Sequence, residues 1–149
     1  MRRYAADGQA LAGTNLTIAE VVAVGSTVRA RIYDIIIGSD AAPADNGGEY
    51  NVIRGTVSGT PTTTVVPRAL DPGDPASLMS LEVGTFSGQT KTANSALLNI
   101  ALNQRATFRW VAVPDGELVT PATTDNWIGL ESIGNSGTPN TNVTFHWQE

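Results

Sequence analysis

The side chains able to do chemistry are few and scattered. There is one histidine, His146, and no cysteine. A lone imidazole serves nucleophilic catalysis only if a hydroxyl and a carboxylate converge on it through the fold. His146 sits between Phe145 and Trp147, at the phase of an alternating strand that faces solvent or a subunit contact. A zinc centre would have to draw all but one of its ligands from carboxylates. Asp45, Glu49, Asp115, Glu117, Glu131 and Glu149 show no spacing that marks a glycosidase pair. The run from Asp40 through Asp45 and Asn46 to Glu49 has oxygens that suit calcium, but it lacks the alternation of a calcium loop and reads as a solvated turn. Gly47-Gly48 and the Gly55/Gly59 pair form no phosphate-binding fingerprint. Tyr4, Tyr33, Tyr50, Trp110, Trp127 and Trp147 fall at strand period and read as core, with a sugar-binding face as the alternative. These residues predict a protein that is not an enzyme and needs no metal or cofactor.

The most informative stretch is chemical only in its stiffness. Val65 to Ala76 holds Pro67, Pro72, Pro75 and Gly73 beside Val65, Val66 and Leu70. Each proline fixes its own φ and gives no N–H to a sheet. Each also drives the residue before it toward an extended conformation. The stretch is therefore neither a central strand nor a flexible linker, but a shaped loop carrying aliphatic groups. Arg68 is expected to pair with Asp71 or Asp74 and, with them, to hold the turn. Val65, Val66 and Leu70 are expected to be its contact surface, with Pro67 among the interface residues. Asp74-Pro75 is also a helix-start signal, so a short helical turn is expected over 76–82, with a short strand through Leu81, Val83 and Phe86 as the overlapping alternative.

Composition sets the frame. The chain of 149 residues fits one domain, and a chain of that size buries roughly 68–70% of its unfolded surface without staples. The net charge is −5 with only 15% charged residues, which argues against direct nucleic-acid binding. The longest apolar run, Ile32 to Ile37, contains Asp34 and is too short to span a bilayer. Met1-Arg2-Arg3-Tyr4 is basic, but no apolar segment follows, so it is not read as an export signal. Synthesis and assembly in a cytoplasm are expected.

The elements that must position the loop are strands. Residues 1–15 are small and polar and read as an N-terminal arm, either frayed or reaching a neighbouring subunit. Residues 16–149 read as a single domain. Leu16 and Ile18 begin an alternating strand that continues through Val24. Val28, Ala30 and Ile32 alternate, then the apolar phase shifts at Asp34 so that Ile35 and Ile37 continue on the other parity, as either a bulge or burial on both faces would cause. Gly38 to Asp40 ends that strand, and 41–48 reads as a loop. Further strands are expected over 50–57, 97–102, 106–113, 127–132 and 143–147, the last tied into a sheet. Pro114-Asp115-Gly116 reads as a turn in which glycine takes the positive φ. Seven to nine strands at this spacing predict an all-β antiparallel sandwich of jelly-roll type with long proline-containing loops.

Pro-Arg-Ala-Leu-Asp-Pro-Gly-Asp-Pro, residues 67–75, resembles the P-R-P-L-D-P-G-D segment of small head proteins of tailed bacteriophages, with Ala69 in place of the second proline. The likeness covers under a tenth of the chain and extends loosely to Phe108-Arg109-Trp110 and the turn after it. The resemblance implies a jelly-roll cement (decoration) protein on the outer surface of the virion. It also implies a homotrimer whose partner is the major capsid protein and which stabilises the shell, without contact to nucleic acid or membrane. The alternative from another class is a carbohydrate-binding or adhesin-like sandwich module.

Overall fold

The computed structural model describes residues 1–40 and 43–149. It contains thirteen strands and, among the described residues, no helix. The first four are β1 (Arg3–Leu11), β2 (Leu16–Ala23), β3 (Arg31–Asp40) and β4 (Gly47–Val57). The middle of the chain gives β5 (Thr63–Val65), β6 (Arg68–Ala69), β7 (Met79–Val83), β8 (Thr90–Lys91) and β9 (Leu98–Asn103). The last four are β10 (Phe108–Val111), β11 (Leu118–Val119), β12 (Trp127–Asn135) and β13 (Asn140–Gln148).

These form two antiparallel sheets packed face to face, a β-sandwich. The first sheet runs β10-β3-β13-β1-β6, with β11 also on β3; the second runs β5-β7-β2-β12-β4-β8, with β9 also on β4. Alternation explains the packing, because successive side chains of a strand point to opposite faces. Val143, Phe145 and Trp147 of β13 are buried beside Ile32, Ile35 and Ile37 of β3, and meet Ile18, Leu81, Val52 and Leu130 from the other sheet. Tyr50 reaches across the core to hydrogen-bond Thr141 at 2.9 Å.

Of the two explanations for the phase shift at Asp34, the bulge is the one present. His146 pairs with Asp34 but Trp147 pairs with Ile32, so Tyr33 is the extra residue and the parity of β3 changes there. β3 itself runs on to Asp40 rather than stopping at Gly38. The loop expected over 41–48 begins with two residues outside the described set, and Gly47 and Gly48 already belong to β4. The strand expected over 106–113 is a four-residue edge piece. In the turn after it, Gly116 N–H donates to Val113 C=O at 2.8 Å, and Asp115, not glycine, takes the positive φ of 63°.

Two expectations are overturned. Residues 3–11 are not an arm: they form β1, flanked by β13 along its whole length, with Tyr4 fully buried against Trp147 at 6.2 Å between ring centroids. The short helical turn is absent, and the overlapping strand alternative at Leu81 and Val83 is what forms. Met79, Leu81 and Val83 are buried at period two while Ser80 and Glu82 are half-buried, so 79–83 is a strand. Tertiary burial outweighs the local start signal at Asp74-Pro75, whose backbone is used differently.

Candidate docking surface

The proline-rich stretch begins as a strand that changes sheets. Thr63 to Val65 pair with β7 in the second sheet, whereas Arg68 and Ala69 pair with β1 in the first. Pro67 sits at the crossing and is buried; lacking an N–H, it leaves no unsatisfied donor where the ladder is broken. Val65 packs against the core. Val66 and Leu70 do the opposite, at 69% and 50% exposed.

The loop beyond is held from behind by several bonds. Leu70 N–H donates to Arg3 C=O at 2.8 Å. Asp71 closes an Asx-type turn: its side chain accepts from Gly73 N–H at 2.9 Å, and its carbonyl accepts from Asp74 N–H at 2.9 Å. The buried Tyr4 hydroxyl donates to Pro75 C=O at 3.0 Å. The Glu149 carboxylate gathers three donors, the Ser77 hydroxyl, Leu78 N–H at 3.1 Å and the Trp147 indole N–H at 3.1 Å. The expected ion pair is not formed: Arg68 is exposed and makes no salt bridge among the described residues, so Asp71 sets the turn through hydrogen bonds alone. Replacing Glu149 by alanine removes three acceptor contacts at once. Amide exchange at Leu78 should then quicken by about tenfold or more while exchange in β12 is unchanged, measurable by NMR.

Strand directions place the 24–30 connection at the same end of the sandwich as this loop, since Ala23 pairs with Met79 and Tyr4 with Ala69. Two aliphatic groups the sequence reading missed lie there. Val24 (62% exposed) and Leu78 (52% exposed) flank a hollow of about 210 Å³ with Val28 and Ser77. One signal for Val24 was available: it prolongs β2 past its last buried residue, just before Gly25-Ser26. Val24, Val66, Leu70 and Leu78 thus decorate one end of a stiffly held rim.

The residues singled out for chemistry do not converge. Asp40, Asp45 and Glu49 each accept from a different asparagine, Asn140, Asn103 and Asn99. No group of three or more metal-ligating side chains comes together among the described residues. Tyr4, Tyr50, Trp127 and Trp147 are buried. His146 lies on the outer face of the first sheet, its Nδ1 3.4 Å from Asp34, with Tyr33 stacked on its ring. Arg109 grips both Asp34 oxygens at 3.0 and 2.7 Å and holds that carboxyl below its usual range. The geometry is that of a partly buried ion pair across β3 and β10.

A second group that sequence reading missed covers the outer face of the second sheet. Glu20 is fully buried, opposite Glu82 in the β2–β7 ladder. Burial first, and then the neighbouring Glu82, push Glu20 up to about 9; Glu82 is also raised, chiefly by burial. Gln89 donates to Glu20 from the overlying loop and accepts from Thr17 at 2.7 Å, and Lys91 pairs with Glu131. Alternation alone gave no sign of this, because Glu20 sits at a polar position whose cover comes from residues far along the chain.

No protein-family model matches the chain, and no curated protein matches it.

Proposed function

We propose that this chain is a structural virion protein, a capsid cement protein that binds the outer surface of a tailed-phage head as a homotrimer and stabilises the shell. The observation that carries the reading is the braced loop: its backbone is fixed from behind by Arg3, Tyr4 and Glu149 while Val66 and Leu70 point outward. Such a loop docks without first being ordered, a saving of roughly 0.5–1.5 kcal/mol for each side chain already held. Aliphatic burial then contributes on the order of 25 cal/mol per Å². The likeness of residues 67–75 to the cement-protein segment supports the same reading. So does the acidic balance, which suits a site outside a DNA-filled shell. The protein acts by adding contacts that must break before the shell ruptures, with no catalytic step.

Val66→Asp and Leu70→Asp test it. Both side chains are exposed, so far-UV circular dichroism and melting should stay near wild type. Sedimentation equilibrium should show the wild type at about three times 15.6 kDa and both variants as monomers. Binding to heads stripped of their surface proteins, from the phage that encodes the chain, should be saturable for wild type and lost in the variants. A monomeric wild type that binds glycans and ignores the heads would support the carbohydrate-binding module instead.

A further inference from the structure

The first sheet ends in an unfinished edge. β6 pairs with β1 only at Tyr4↔Ala69 and Ala5↔Arg68. On that side the backbone of Arg3 accepts from Leu70, while Arg2 and Ala12 bond toward the opposite side, to Glu149 and Pro139. Backbone direction alternates along an antiparallel strand, so Asp7, Gln9 and Leu11 aim their N–H and C=O groups outward. No strand or side chain among the described residues pairs with those groups. Free edges are ordinarily blunted by proline, lysine or a covering loop; 7–11 carries neither residue.

The edge borders a trough. Pro67 has carried the chain from one sheet to the other, so β6 leaves the edge after Ala5 and the outer side of 7–11 is uncovered, while at Gly8 the two sheets stay in contact through Val83. Two hollows of about 600 Å³ each adjoin this edge, one lined by Gly8, Val65 and Val83 together with the polar Gln9, Thr63 and Thr144, the other by Leu11, Leu16 and Phe86 together with Thr62, Gln89 and Lys91. Leu11 and Leu16 are 64% and 49% exposed. Asp7 lies at the first hollow and has no ion-pair partner among the described residues.

We propose that this trough takes an extended segment of a different protein chain, added as a strand along Asp7–Leu11. The segment points aliphatic side chains into the two hollows and sets a lysine or arginine against Asp7. A second copy of this chain fits poorly. Its own β1 would offer only Gly8 and Ala10 to the hollows. Five residues make an edge about 16 Å long at ~3.3 Å per residue, and 7–11 of a second copy carries no lysine or arginine to meet Asp7. The surface is separate from the end that carries Val66 and Leu70, so the two docking sites fail or hold independently.

The probe is a blocked heptapeptide, Lys-Thr-Val-Thr-Val-Thr-Lys, titrated into the ¹⁵N-labelled full chain. Saturable shifts are expected at the amides of Asp7, Gln9 and Leu11, with their hydrogen exchange slowed by about tenfold or more. Gln9→Pro should abolish the response while keeping a native spectrum, because the lost N–H faces away from β13 and proline is tolerated at such edge positions. Leu11→Pro repeats the test at the next outward position should Gln9→Pro fail to fold. A peptide with glutamate in place of both lysines should bind several-fold more weakly. Absence of shifts at these amides, or an unchanged response in a folded proline variant, overturns the proposal. Concentration-dependent shifts at the same amides without peptide would make the occupant another copy and would also overturn it.

Discussion

Glu20→Gln raises the melting temperature at pH 8 and flattens the protein's dependence on alkali. The folded chain holds a proton on Glu20 up to about pH 9, whereas an unfolded glutamate releases it near 4.3. The folded state therefore binds more protons throughout that window. The stability is fully present below the unfolded value and falls as pH rises toward the folded one, by about 1.4 kcal/mol per pH unit for one proton. Glu82 is raised as well and adds to the same slope. Asp34 acts in the opposite sense: its depressed carboxyl contributes stability that is lost as pH falls through its folded value. The wild type should thus be most stable in mildly acidic solution. Glutamine keeps the shape and the contact to Gln89 without a group to ionise. Melting curves from pH 5 to 9 should show wild type and variant converging at the acid end and separating by a few kcal/mol at the alkaline end. Parallel curves would mean Glu20 is ionised in the folded protein.

Gly55→Ala should be among the most damaging single-methyl changes in the chain. A Cβ at Gly55 would stand 2.1–2.4 Å from three atoms of the Trp127 indole. That ring is fully buried with Val22 and Ile53, and its N–H donates to Val57 C=O at 3.0 Å. It cannot retreat without leaving this cluster and that bond, so a loss of about 1–3 kcal/mol or more is expected. Chemical denaturation measures it, with a red shift of Trp127 emission as the local sign. Gly134→Ala is the control: a Cβ there meets nothing within 4 Å, and its melting should match wild type.

How much was legible follows from where side chains find their neighbours. β2, β3, β12 and β13 announced themselves because their own large apolar residues alternate, and even the bulge at Tyr33 left a parity shift to read. β1 was hidden because its inward positions after Tyr4 are Ala6, Gly8 and Ala10. The bulk that fills the space beside Gly8 belongs to Val83, whose side chain would lie 2.5 Å from an added Cβ. In the docking loop the prolines showed stiffness, but Val65 and Val66 look alike in sequence. Pairing with β7 turns the first inward and leaves the second outside. Arg68 near Asp71 suggested an ion pair, yet the short Asx turn satisfies Asp71 without it.

The order of strands in the first sheet also bears on how the chain is made. β13 lies between β1 and β3, joined to each along its length. A nascent chain leaving the ribosome has released β1 and β3 long before β13 exists. For most of translation those two strands have a gap where their shared partner belongs, and the aromatic centre built by Phe145 and Trp147 is missing. Sheet closure is therefore a late event that must wait for residues 140–148. Until then the waiting strands, with open edges and Ile32, Ile35 and Ile37 uncovered, are what chaperones and stray aggregation partners meet.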